Sequence, residues 1–142
     1  MTLTSKVALV FLPLAMTGWL QGQVRMRAGL WENTVIASGQ TATRNACITA
    51  EQEERSKGTV AEMRESLEKT LAKSGGCKLK EFSIVGSTQT MIMVCGTSTM
   101  KHVTTFRGDS FETVGTATTA EGVKSSVIKG RRLGDCPPGG AK

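Results

Sequence analysis

The sequence has no tyrosine, two tryptophans, four phenylalanines and one histidine in 142 residues. So few aromatics leave the core to Val, Ile, Leu and Met, and 39% hydrophobic content keeps that core thin. Such a chain gains more than most from covalent crosslinks. The lone histidine, His102, rules out any metal site built on a histidine pair. It also means that a Ser–His or Cys–His mechanism must use this one side chain. No apolar run approaches the ~20 residues needed to cross a bilayer as a helix. Phosphate-binding glycine loops and tandem repeats are absent as well.

The formal charge is +6. The basic residues Lys73, Lys78, Lys80, Lys124, Lys129, Arg131 and Arg132 are scattered rather than gathered into one run. Nucleic-acid binding would concentrate such charge and interleave aromatic platforms, so this function class is not expected. The surplus is read as a solubility feature.

Lys6 precedes an apolar run, Val7 to Met16, and no further charge occurs until Arg25. Even extended to Leu20 the run has about fourteen apolar residues, and Pro13 interrupts it. A basic start and a short apolar core describe an export signal, with cleavage expected after Gly22. Residues 1–22 are therefore assigned to a signal peptide and 23–142 to a single β-rich domain, with no membrane anchor after cleavage. Losing Lys6 leaves the mature chain near +5 (6 − 1).

Cys47, Cys77, Cys95 and Cys136 all lie in the mature region. An even count behind an export signal indicates two disulfides. Zinc is not expected, because zinc ligands come in close pairs and here no two cysteines are nearer than the Cys77–Cys95 interval. Lys78–Val85 and Gln89–Val94 are rich in strand formers, with Gly86-Ser87 between them, which signals a hairpin. A turn centred on Gly86 puts Cys77 opposite Cys95, within bridging distance. A two-residue Gly86-Ser87 turn would instead pair Cys77 with Gly96 and send the sulfurs to opposite faces. The bridge therefore requires an odd-length loop or a bulge. Cys47 and Cys136 are left to pair.

Arg27–Ala37 suits a first strand, ended by Ser38-Gly39-Gln40. Thr49-Ala50-Glu51-Gln52 fits a capping box that starts a helix, with Gly58 marking a break. Thr59–Ser74 is the clearest helix, with Val60, Met63, Leu67 and Leu71 on one face and Arg64–Glu68 and Glu65–Lys69 pairs on the wet side. Gly75-Gly76 stops it. Only strands follow: the 77–95 hairpin, then 100–107, 110–118 and 123–129. Gly108-Asp109 makes a two-residue turn that sets Phe106 opposite Phe111, and Glu121-Gly122 makes the next. Frequent threonine suits a sheet with one wet face. Pro137-Pro138-Gly139-Gly140 cannot continue a strand and is expected to fray. The fold class is α+β: an antiparallel meander of about six strands in a curved sheet, one main helix on one face, and two disulfides.

Candidate chemistry is sparse. His102 has no orienting carboxylate marked by spacing. Asp109 and Glu112 read as solvated turn residues rather than an acid–base pair. Arg107-Gly108-Asp109 spells an adhesion tripeptide, but the turn already accounts for its glycine and aspartate. Trp31 is a candidate to line an apolar pocket, against core packing. Arg131 and Arg132 are candidates to grip a phosphate or carboxylate, against exposed charge at a sheet end.

Four fragments occur in a familiar order: Met26-Arg27-Ala28-Gly29-Leu30-Trp31-Glu32, Cys47-Ile48-Thr49-Ala50-Glu51-Gln52, Phe106-Arg107-Gly108-Asp109-Ser110-Phe111-Glu112 and Gly134-Asp135-Cys136-Pro137. Together they resemble a bacterial envelope family known as domain of unknown function 3617, over about residues 26–137. The resemblance implies a periplasmic or secreted protein and supplies no activity. The expectation is a non-enzymatic envelope protein with no cofactor, acting as a binding module for a small or apolar ligand or as a protein–protein adaptor. The alternatives are a hydrolase or other enzyme with an unrecognised site, and an inhibitor presenting a rigid loop. A pocket lined by Trp31 and methionines would favour binding; one placing His102 beside a carboxylate and a hydroxyl would favour catalysis.

Overall fold

The structure, a computed structural model, describes residues 25–140. The expected leader at 1–22 lies outside these residues. Seven strands form one sheet: β1 (Gly29–Ala37), β2 (Gln40–Ile48), β3 (Cys77–Val85), β4 (Thr88–Cys95), β5 (Ser98–Phe106), β6 (Ser110–Thr119) and β7 (Gly122–Gly134). Two helices, α1 (Ala50–Arg55) and α2 (Val60–Ser74), separate β2 from β3. The sheet order is β2-β1-β7-β6-β5-β4-β3, and every pairing is antiparallel. The meander from β3 to β7 is thus completed by the N-terminal hairpin, with β1 alongside β7.

The expected count of six strands is short by one. Ser38-Gly39 does not merely end β1. Both residues have positive φ, 51° and 73°, the turn conformation that matches strand twist, and the chain returns as β2. β2 is GlnThrAlaThrArgAsnAlaCysIle, with no bulky apolar alternation to mark it, because it is an edge strand exposed from Gln40 to Asn45. The helix started at the Thr49 capping box is α1, separated from α2 around Gly58, so two helices stand where the fold class counted one main helix. Both begin with capping boxes, Thr49 with Gln52 and Thr59 with Glu62. The β6–β7 turn is Ala120-Glu121, one residue earlier than expected, since Thr119 pairs with Gly122.

The β3–β4 hairpin keeps its two-residue turn, Val85 pairing with Thr88. Its register shifts between Leu79 and Glu81, so Lys80 is an extra residue in β3. That bulge brings Cys77 opposite Cys95, and the two are joined with their Cα atoms 4.1 Å apart. A second disulfide joins Cys47 at the end of β2 to Cys136 beyond β7, with a Cα separation of 5.6 Å.

Strand parity sorts the side chains. One face carries Trp31, Phe106, Phe111, Thr113, Phe82, Met91, Met93, Met100 and His102, and α2 packs on it along β3. The opposite face carries threonines and cross-strand ion pairs, Arg131–Glu32 at 2.8 Å and Lys129–Glu112 at 3.8 Å. Among the described residues, Trp31 and Phe82 are the buried large apolar side chains. Trp31 is fully buried and Phe111 lies 5.7 Å from it, with Phe106 6.1 Å beyond. β7 runs between the strands of Trp31 and Phe111, so their contact must pass over it. Gly130 permits this: it pairs with Phe111 and Asn33, and a Cβ there would run into the Phe111 ring.

Glu53 on α1 accepts the Ala28 N–H at 2.6 Å and meets Lys57 at 3.3 Å. The backbone hydrogen bond first, and Lys57 second, hold its carboxyl below the ordinary carboxylate value. The unfolded chain therefore binds the proton more readily, and this stabilisation is present above the ordinary value and lost as pH falls through the folded one. The midpoint of urea unfolding should fall as pH drops below about 5, and Glu53→Gln should flatten that dependence. An unchanged slope in the variant would place the acid sensitivity elsewhere.

Gly130→Ala should cost about 1–3 kcal/mol in urea unfolding, since the Phe111 ring must leave its place over β7. A neutral substitution would mean that the aromatic contact is dispensable. The disulfides differ in span, 89 residues for Cys47–Cys136 against 18 for Cys77–Cys95. On loop-closure entropy the Cys47→Ser/Cys136→Ser double variant should lose ~4–5 kcal/mol and Cys77→Ser/Cys95→Ser ~3 kcal/mol. The reverse order would show that constraint of the unfolded chain is not what these bonds supply.

Candidate binding cleft

α2 is amphipathic, and Met63, Leu67 and Leu71 are its half-buried apolar positions. No residue of the helix is fully buried, so it roofs the edge of the sheet without sealing it. Between helices and sheet lies an open cleft of about 690 Å³. Met63 and Leu67 line it from α2 and Phe82 from β3, while Gln89 of β4 and Ser66 supply polar atoms within reach. The rim comes from α1 and the link to α2: Glu51, Glu54, Arg55 and Gly58, with Glu62 beyond.

The rim charges are mostly spoken for. Glu54 meets Lys57 at 2.6 Å and Glu51 meets Arg55 at 3.9 Å. Glu62 accepts the Thr59 N–H at 2.8 Å, and that bond holds its carboxyl below the ordinary value. The apolar floor is therefore the distinctive feature. The helix periodicity was legible in the sequence. The cleft was not, because it depends on Phe82 reaching the same place from a strand beyond the helix.

The residues singled out from sequence lie elsewhere. Trp31 is wholly buried, its indole N–H donating to the Arg27 carbonyl at 2.9 Å. Arg132 donates from Nε to the Ala28 carbonyl at 2.8 Å and from Nη2 to Asp135 at 3.0 Å. Arg131 points to the opposite face and pairs with Glu32. The structure thus puts Trp31 beside Arg132, as register partners, and separates both from Arg131. His102 sits mid-sheet, its same-face neighbours being Met91, Gly115, Met100 and Thr104. None is a carboxylate. Asp109 of the adhesion-like tripeptide receives Nη1 of Arg27 at 2.9 Å, so its carboxylate is already engaged within the chain.

The four sequence fragments converge at one end of the sheet. Arg27 pairs with Asp109, Trp31 packs on Phe111, Arg132 holds Ala28, and Cys47 is bonded to Cys136. They form a structural clasp, and α1, which continues the Cys47 fragment, carries Glu51 from it to the rim of the cleft.

Among the described residues no helix is long and apolar enough to cross a membrane, and no group of three His, Cys, Asp or Glu side chains is placed to hold a metal ion. No curated protein and no solved structure matches the chain. The sequence profile described as "Protein of unknown function (DUF3617)" matches residues 26–136, which span the clasp, both helices and every strand. The chain belongs to that family.

Proposed function

We propose that this protein is an exported, non-enzymatic binding module of the bacterial envelope, periplasmic or secreted, that takes a small apolar ligand in the cleft between α2 and the β3–β4 hairpin. The observation that carries the reading is the floor of Met63, Leu67 and Phe82 in an open space of about 690 Å³, within the size range of small-molecule sites. Methionine is unbranched and polarisable, and it adapts to ligands of varied shape. Two disulfides support export, since such bonds persist in oxidising compartments. The bulges at Lys80 and Leu133 bend their strands, which supports a curved sheet with the cleft on its sheltered side.

The uncharged fluorophore phenylnaphthylamine reports the cleft. Its emission should rise with the oxidised mature protein, and Leu67→Glu should weaken its binding by at least roughly tenfold. Val114→Glu, on the threonine-rich face, should leave binding unchanged. Equal binding by wild type and Leu67→Glu would remove the cleft as the ligand site.

A further inference from the structure

The two edges of the sheet are built differently. β3 is guarded: α2 packs along it, Lys80 is bulged out of register, and Lys78, Lys80 and Glu81 are exposed on it. These are the devices by which edge strands avoid pairing with other chains. β2 has neither the helix nor the bulge. Its register with β1 runs unbroken from Ala37–Gln40 to Gly29–Ile48. Its nine residues include one charge, Arg44, and no proline, and Gln40–Asn45 are exposed.

Hydrogen-bond parity says what this edge can accept. Ala37 and Gln40 flank a two-residue turn and exchange both backbone bonds, so Gln40, Ala42, Arg44 and Ala46 direct their backbone groups to β1. Thr41, Thr43 and Asn45 direct theirs outward. We propose that the β2 edge pairs antiparallel with β2 of a second copy of this chain, about a two-fold axis through Thr43, to form a continuous two-chain sheet. Thr43 then faces Thr43, and Thr41 faces Asn45 twice, giving about six backbone hydrogen bonds, two for each pair. Arg44 falls opposite Ala42, so the one charge on the strand is not set directly opposite itself. Axes through Gln40, Ala42 or Arg44 would bring together backbones already bonded to β1. The side chains in the pairing are threonine and asparagine, which suit a cross-strand contact that is polar and reversible. The contact is small beside a permanent interface, so the dimer is a weak one.

Sedimentation velocity of the oxidised mature protein over a concentration series up to about 1 mM tests this. A concentration-dependent monomer–dimer equilibrium is expected. Thr43→Pro removes an outward N–H without removing a bond to β1, and it should abolish the dimer while circular dichroism stays unchanged. Thr43→Lys sets two like charges face to face and should do the same if the proline disturbs the hairpin. A monomer throughout the series, or a dimer that survives Thr43→Lys in a folded protein, would overturn the proposal. Thr43 lies in the middle of β2 and does not line the cleft, so probe binding by the monomeric variants is unaffected by either outcome.

Discussion

The structure depends on the withdrawal of Trp31 from water. Among the described residues Trp31 is the one large side chain that is fully buried, and it stands where the N-terminal hairpin meets the meander. Trp31 stands on β1, and the ring that packs against it stands on β6, with β7 between. Burying the indole therefore requires all three strands in register. It also requires a glycine at 130, where any larger residue would occupy the path of Phe111. The indole N–H is satisfied by the Arg27 carbonyl, and Arg27 is itself tied to the β5–β6 turn through Asp109. Residues distant in sequence thus become mutually dependent, as a long-range sheet requires.

The Cys47–Cys136 bond reinforces the same junction from outside. It joins the edge hairpin to the end of β7, so the placement of β1 beside β7 is fixed both by packing and by covalent connection. The fragments that carry the family resemblance supply the parts of this junction. The apolar floor of the cleft under α2 is made by other residues, Met63, Leu67 and Phe82.

Local rules were legible in the sequence where a short segment decides the outcome. The capping box at Thr49, the apolar spacing of α2, the facing of Phe106 and Phe111, and the need for a loop adjustment between Cys77 and Cys95 follow from neighbours in the chain. The adjustment proved to be a bulge at Lys80, which keeps the tight turn at Gly86-Ser87. What escaped was decided by distant parts. β2 carries no apolar stripe because an edge strand exposed to water needs none, so its only advance signal was the turn at Ser38-Gly39. For Trp31 core packing is the default reading of the sequence and a pocket the alternative, but the ring that buries it stands two strands away. The cleft likewise exists only because a helix and a hairpin meet.

Amide and indole hydrogen exchange in the oxidised protein tests the central claim most directly. If burial of Trp31 holds the sheet together, the Trp31 indole N–H and the hydrogen-bonded amides of β1 and β7 exchange only on global unfolding, as slowly as any in β5 and β6. Exchange of the indole and of β1 while β3 to β6 remain protected would show that the hairpin opens on its own, and would contradict the account.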